Sequence, residues 1–152
     1  MKRIAIALLL FAIAQVIQAK EFSKEPLPMP VDTFIKNHYP EATDVEWSKG
    51  RNEADSLDIY NIHLHNKGLL VTIEMTPEGL MIARETEIAI KDVPRTFIPF
   101  IQNHKIKFVA YVEYHGDKPV YVMESVYKGH SHFNIFSING ILLHTQKKFS
   151  LF

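Results

Sequence analysis

Two pairs of glycines stand at the same spacing in the two halves of this chain. Gly68 and Gly79 are eleven positions apart, and so are Gly129 and Gly140. A lysine directly precedes the first glycine of each pair, and a tyrosine stands eight positions before that glycine. Because glycine adopts the positive φ angles that tight turns require, the spacing predicts two strand pairs of equal length closed by similar turns. The pattern indicates an internal repeat.

The first unit, residues 30–90, has the pattern of one helix followed by four strands. Val31, Phe34 and Ile35 recur at helical spacing, with Pro30 at the start of the helix and Pro40 after its end. The strands are predicted from alternating apolar and polar residues at 44–48, 59–65, 69–75 and 80–88. The polar stretch 49–58 is predicted to be a loop.

The second unit, residues 91–148, repeats this order with a less regular helix. Asp92 is predicted to cap a helix that carries Val93, Phe97 and Ile101 on one side, and Pro99 inside it is expected to kink or shorten it. Four further strands are predicted at 108–115, 120–127, 130–136 and 141–147. Residues 30–152 therefore predict one α+β domain: a tandem repeat of helix-plus-four-antiparallel-strands units, forming a curved antiparallel sheet with the helices on one face.

The start of the chain predicts export. Residues 1–19 combine a short basic region, an apolar run and a small residue at Ala19, which is the pattern of a cleavable signal peptide. A membrane anchor is the alternative, but the apolar run is shorter than the roughly 20 residues of a membrane span, and charged residues follow it. We expect a flexible leader over 20–29, no stable membrane span after cleavage, and a mature protein in the periplasm, with secretion as the alternative.

Charge and cysteine content exclude several classes of function. The signal holds two of the 17 basic residues and none of the 17 acidic ones, so the mature chain has a net charge of 15 − 17 = −2. A near-neutral chain without a basic cluster argues against a nucleic-acid partner. The chain has no cysteine, which excludes thiol catalysis and cysteine-bound metals and favours a bacterial periplasm over an animal extracellular space.

Several short stretches resemble a known family. They are His38-Tyr39-Pro40, Tyr60 to Gly79, Asp92-Val93-Pro94 and Tyr121 to Gly140. In these stretches the chain resembles the exported beta-lactamase-inhibitor-like, PepSY-like proteins of Gram-negative bacteria, often Bacteroidetes. The resemblance implies the tandem fold and an envelope location and, less directly, protein binding or inhibition. It transfers no catalytic residue.

Histidines suggest one candidate site. His63 and His65 form an H-x-H pair on a predicted strand, where residues two apart share a face, and a second pair stands at 130 and 132. Such a pair chelates a metal when a third ligand is near, and the returning strand brings Glu74 close to the first pair. The alternative is that these histidines are simply exposed on an open sheet face. No third ligand stands at a diagnostic spacing, so we predict no metal and no cofactor.

Apolar and aromatic residues suggest a second candidate site. Three polar residues of the second unit stand at apolar positions of the first: His130, His132 and Asn134 in place of Leu69, Val71 and Ile73. Phe133 and Ile135 correspond to the polar Thr72 and Glu74, so the second unit either faces differently or is aligned one residue out. We expect Phe133 and Ile135 to form an apolar patch on the face opposite the helices, open to a partner. Burial of Phe133 in the core, or of the patch in a homodimer, is the alternative.

Two further aromatic residues are candidate interface anchors. Matching Val45-Glu46-Trp47 with Val112-Glu113-Tyr114 pairs Trp47 with Tyr114, and aromatic side chains bury large areas at interfaces. No nucleophile elbow or glycine-rich phosphate loop is present, so an enzyme is not expected. The sequence predicts a non-enzymatic protein-binding or inhibitor-type module whose partner is another envelope or secreted protein. The alternative function is small-ligand or metal sensing by the strand histidines.

Overall fold

A computed structural model describes residues 22–23, 25–51 and 58–147 of the chain. Within that part, eight strands pair in chain order, each antiparallel to the next, to form one open sheet. The predicted signal peptide at 1–19 and most of the predicted loop at 49–58 lie outside the described residues.

Two helices and eight strands follow one another in an order that repeats once. The helices are α1 (Met29–His38) and α2 (Ile98–Asn103), and two 3₁₀ turns, Ile90–Asp92 and Arg95–Phe97, precede α2. The strands of the first half are β1 (Thr43–Arg51), β2 (Asp58–Asn66), β3 (Leu69–Met75) and β4 (Met81–Glu87). Those of the second half are β5 (Lys105–Tyr114), β6 (Val120–Tyr127), β7 (His130–Ser137) and β8 (Leu142–Lys147). All eight predicted strands are present, and their ends shift by up to three residues, at β1 and β5.

Helix α1 has the stripe that its sequence predicts. Val31 and Ile35 are buried against the sheet, and Pro30 lies in the first turn, where its missing N–H costs no hydrogen bond. At the end of the helix, the Nδ1 atom of His38 lies 2.9 Å from the carbonyl oxygen of Phe34, and the two rings stack. The imidazole of His38 is thus held against the last turn of α1.

The prediction for the second helix is wrong at its start. Asp92 ends a separate 3₁₀ turn and does not cap α2, which begins at Ile98. Pro94 explains the break, since it has no N–H to donate and it disfavours helical backbone at Val93. Pro99 lies in the first turn of α2, where proline is tolerated, so it marks the start of a short helix and does not kink a longer one.

Both helices pack against the same face of the sheet, which we call the helix face. Val31 and Ile35 of α1 contact a buried cluster from the first half that includes Trp47, Ile62 and Ile73. Just before α2, Phe97 contacts a second cluster made of Val109, Met123 and Phe136. The α+β class and the placement of both helices on one face are therefore as predicted.

Corresponding turns in the two halves have matching geometry. The β2–β3 and β6–β7 turns place a lysine at positive φ, Lys67 at 53° and Lys128 at 48°, followed by glycine. In the β3–β4 and β7–β8 turns, a Cβ added at Gly79 would lie 3.1 Å from Pro30, and one added at Gly140 would lie 3.2 Å from Thr96. Each of these turns therefore lies against the chain at the start of a helical segment.

We expect Gly79→Ala to destabilise the protein more than Gly68→Ala. Both glycines have φ near 80–90°, so alanine costs roughly 1–2 kcal/mol at either position. At Gly68 nothing lies within 4 Å of the added methyl group, whereas at Gly79 it meets the side chain and backbone of Pro30. Chemical denaturation of both variants measures the difference in the free energy of unfolding. Equal losses would show that the contact with Pro30 relaxes freely.

Candidate binding surface

Cross-strand register divides the side chains of the sheet between two faces. Directly opposite residues on antiparallel strands point to the same side, and successive residues along a strand alternate. Residues in register with Ile62 and Met123 belong to the helix face. Those in register with Asn61 and Val122 belong to the other face, which we call the open face because neither helix lies on it.

The part of the open face formed by β5, β6 and β7 is mainly apolar, although it also holds the buried Glu124 between Phe108 and Phe133. Its centre is a cluster of five buried residues: Ala110, Val112, Val120, Val122 and Ile135. Phe108, Tyr114 and Phe133 pack around this cluster and are partly exposed. Neither α1 nor α2 covers this cluster, whose members contact one another.

The part of the open face formed by β1 to β4 is polar. Ser48, Asn61, Thr72 and Glu85 are buried there, although polar residues are usually exposed. One row of register partners crosses the boundary between the two parts: Ser48, Asn61, Glu74, Ala83 and Tyr114. The open face is therefore a continuous surface with a polar half and an apolar half.

Phe133 and Ile135 both lie on the open face, but Ile135 is only 5% exposed, so the two do not form the exposed pair that was expected. Ile135 is buried in register with Val122, and Phe133 lies between Glu124 and Gln146 on the neighbouring strands. The second half thus faces the same way as the first, and the alignment of β7 with β3 does not slip.

A local hydrogen-bond network accounts for Asn134, the buried polar residue among those that β7 places on the helix face. The Asn134 Nδ2 atom donates to the carbonyl oxygen of Met123 and to Ser125 Oγ, and its Oδ1 atom accepts from Thr145 Oγ1. A buried amide with these partners is stable where the first half has Ile73. The replacement of Ile73 by Asn134 in the second half therefore does not require β7 to turn its other face to the helices.

The pairing of Trp47 with Tyr114 is wrong. Trp47 lies on the helix face, is 4% exposed and donates from Nε1 to the carbonyl oxygen of Glu25. It is in register with Ile62, whereas Tyr114 is in register with Ala83 on the open face. Of these two aromatic residues, only Tyr114 belongs to the candidate surface. The two strands correspond through Trp47 and Val109 instead, which lie opposite Ile62 and Met123.

The predicted histidine pair shares the open face with Glu74. The ring of His63 lies against Phe22, and its Nδ1 atom is 3.1 Å from Thr72 Oγ1. His65 is exposed, with Nδ1 3.5 Å from a carboxylate oxygen of Asp44. Glu74 is opposite Asn61, as predicted. Within residues 22–23, 25–51 and 58–147, no three side chains of the metal-binding types form a cluster, so the metal hypothesis has no third ligand there.

Tyr114 has the most perturbed environment on the open face. Burial raises the pKa of its hydroxyl, and the negative charges of Glu74, Glu85 and Asp117 raise it further. The hydroxyl oxygen is buried and, within the described residues, has no hydrogen-bond partner. A phenol in this environment stays protonated at neutral pH and has an unused donor.

Sequence reasoning missed three polar residues of this surface: Ser48, Asn61 and Glu85. The Ser48 Oγ and Asn61 Nδ2 atoms are buried without a hydrogen-bond partner in the described part of the chain. Strand parity carried a signal for Asn61, since it lies two residues before His63 and therefore shares its face. Nothing in the sequence signalled the burial of Glu85, because that follows from its register between Thr72 and Val112.

Solved structures share this fold at low sequence identity. No protein-family model matches the chain, and no curated protein matches its sequence. A protein of Bacteroides eggerthii, provisionally described as periplasmic, has a TM-score of 0.65 and 18% identity over 81% of this chain and 90% of its own. A DUF2874 family protein of Bacteroides ovatus has the same TM-score and identity over 81% and 89% of the two chains. A BLIP-like protein of Bacteroides fragilis matches with a TM-score of 0.65 and 20% identity over 82% and 89%.

Among the described residues, no helix is long and apolar enough to cross a membrane. These structural neighbours are Bacteroides proteins. The short sequence stretches described above resemble exported envelope proteins of the same bacterial group. The chain therefore shares the fold of the BLIP-like and DUF2874 proteins of Bacteroides, and its resemblance to the exported beta-lactamase-inhibitor-like proteins is confirmed at the level of the fold.

Proposed function

We propose that this protein is an exported, non-enzymatic periplasmic module that binds another protein through the open face of its sheet. One observation carries the proposal: the open face has a cluster of apolar side chains that neither helix covers. The aromatic residues packed around it, Phe108, Tyr114 and Phe133, are partly exposed, and aromatic side chains are enriched at protein interfaces. The basic and apolar start of the chain and the periplasmic description of a structural neighbour support the location.

We also propose that the two halves are copies of one unit. The paired turns at Gly79 and Gly140 and the stacking of a phenylalanine on a histidine at the end of each helix, Phe34 with His38 and Phe100 with His104, support this origin. The halves differ on the open face, which is polar in the first and apolar in the second. A change of chemistry over a whole face between two copies of one unit is expected when that face has acquired a role of its own.

Site-specific photo-crosslinking in the envelope of the native host tests the binding function. A crosslinker at Gln146, the register neighbour of Phe133, is expected to capture one dominant protein. Phe133→Asp should reduce that capture at least tenfold, because a charge placed in an apolar interface costs more than about 1.4 kcal/mol. Phe133→Ala should reduce it less, since it removes the ring without adding a charge.

A crosslinker at the exposed Ile98 on the helix side is the control and should capture nothing in common with the Gln146 position. Thermal melting of each variant shows that the fold is kept, which is expected because Phe133 is only partly buried. Equal capture from both positions, or undiminished capture by a folded Phe133→Asp variant, would refute binding through the open face.

A further inference from the structure

The two edges of the sheet differ in what lies against them. Strand β1 forms one edge and β8 forms the other. At the β1 edge, the backbone N–H of Ser23 donates to the carbonyl oxygen of Trp47 at 2.7 Å, and Trp47 Nε1 donates to the carbonyl oxygen of Glu25 at 2.9 Å. Ser23 and Glu25 therefore lie against β1. Within the described residues, no segment pairs with the outer side of β8.

Strand β8 has little of what usually keeps an edge strand from pairing with another chain. Five of its six residues are exposed. The apolar residues at its start and in the preceding turn are between 48% and 63% exposed: Ile138, Ile141, Leu142 and Leu143. Proteins commonly protect an edge with lysines, prolines and other charged residues, but β8 contains no proline and a single charged residue, Lys147. The β1 edge carries four charged residues.

Strand β4, the fourth strand of the first half, shows what such a strand contacts when its outer side is paired. Counted from Gly79 and Gly140, Met81 of β4 corresponds to Leu142 of β8. Strand β4 pairs with β5, and all its residues are buried or partly buried. An edge strand leaves alternate N–H and C=O groups without partners on its outer side, so the neighbour that fits β8 is another strand.

Pairing of β8 with β1 of another copy would continue the strand order, but the charges oppose it. In the β4–β5 pair, Thr86 lies opposite Tyr111. Their counterparts at the two edges, aligned through the turns and through Trp47, are Lys147 and Lys49. A head-to-tail contact in this register would place two lysines directly opposite each other, which is unfavourable.

We propose that β8 pairs antiparallel with β8 of a second copy of this chain, so that the two sheets join across a twofold axis. The Lys147 side chains of the two copies then lie at opposite ends of the strand pair, whereas parallel pairing would bring them together. Leu142 and Leu143 of each copy pack against the other strand. The open faces of both copies lie on the same side of the joined sheet and stay free, so this inference goes beyond the proposed binding function.

Sedimentation velocity over a wide range of protein concentration tests the dimer. The mature protein, residues 20–152, is expected to show a monomer–dimer equilibrium, because one strand pair with a few leucines buries less surface than a permanent interface. Leu143→Lys places a charge near the centre of the strand pair and should raise the dimer Kd at least about tenfold.

Leu80→Lys is the matched control, because it makes the same change at a residue outside β8 with similar exposure, 51% against 56% for Leu143. It should leave the Kd unchanged. Thermal melting shows that both variants keep the fold. A wild-type protein that stays monomeric at every concentration, or an equal rise of the Kd in both variants, would overturn the inference.

Single cysteines identify the strands that meet, since the chain has no cysteine of its own. In an antiparallel pair about a twofold axis, identical residues approach each other only near the centre, which in β8 lies beside His144. Oxidation should therefore join two copies of His144→Cys readily and two copies of Lys147→Cys much less. A mixture of Lys147→Cys and Lys49→Cys tests the head-to-tail contact. A disulfide in that mixture, or none between copies of His144→Cys, would show that β8 does not pair with itself.

Discussion

Phe97→Ala is expected to lower the free energy of unfolding by about 3–5 kcal/mol, which is the usual cost of removing a fully buried phenylalanine. Phe97 is 1% exposed and lies in the 3₁₀ turn before α2. Its ring contacts the rings of Tyr121 and Phe136 with centroid distances of 4.8 and 5.4 Å. The substitution leaves a cavity among groups from three elements, and α2 is too short to hold its position without that contact.

Phe34→Ala is the matched control for this prediction. Phe34 lies on α1 and packs against the first cluster, but it is partly exposed and its ring stacks mainly on His38. The same chemical change should therefore cost much less at Phe34 than at Phe97. Urea denaturation followed by tryptophan fluorescence and by circular dichroism measures both losses. Equal losses of unfolding free energy in the two variants would contradict the expectation that packing on the helix face of the second half depends on Phe97.

Local sequence signals predicted most of the fold. Helix α1 was predictable because Val31 and Ile35 recur at helical spacing between two prolines, and the signal lies within ten residues. The start of α2, the helix before β5, was not predicted correctly. Pro94 and Pro99 restrict the backbone here and leave a helix of only six residues. The face of Phe133 followed from strand alternation, which a short strand keeps when no bulge interrupts it.

The candidate site was predicted only in part, because it depends on pairing between distant strands. The sequence placed Phe133 and Glu74 on the open face, but it could not place Tyr114 beside Ala83. That contact joins β4 to β5 across the second helical segment. The misalignment of Trp47 has the same origin, since its counterpart in the second half is set by the pairing of β5 with β6, where Val109 lies opposite Met123.

The unused donors of the open face imply a compromise between stability and binding. Removing a buried polar atom that has no partner should stabilise the free protein, because its desolvation cost disappears. The same removal should weaken binding if a partner supplies the acceptor. Tyr114 is the best position to observe both effects, since phenylalanine preserves its ring and its packing against the apolar cluster.

We expect the stability of the protein to fall steeply above pH 10 through Tyr114 and this fall to be reduced in Tyr114→Phe. The folded protein raises the pKa of Tyr114 above its ordinary value of 10.0, mainly through burial. The neutral phenol is therefore favoured in the folded state, so its contribution is complete below pH 10. Above pH 10 the unfolded chain loses the proton first, and each further pH unit lowers the free energy of unfolding by about 1.4 kcal/mol until the folded protein also ionises.

The difference between wild type and Tyr114→Phe isolates this contribution, because all other ionisable groups are common to both proteins. At pH 8 the variant should be the more stable one by up to about 1 kcal/mol, since it lacks the unpartnered hydroxyl. From pH 9 to pH 11.5 its advantage should grow by about 2 kcal/mol. Denaturation at several pH values measures this difference. An advantage that stays constant with pH would show that the hydroxyl is solvated in the folded protein, and it would remove Tyr114 from the set of donors that await a partner.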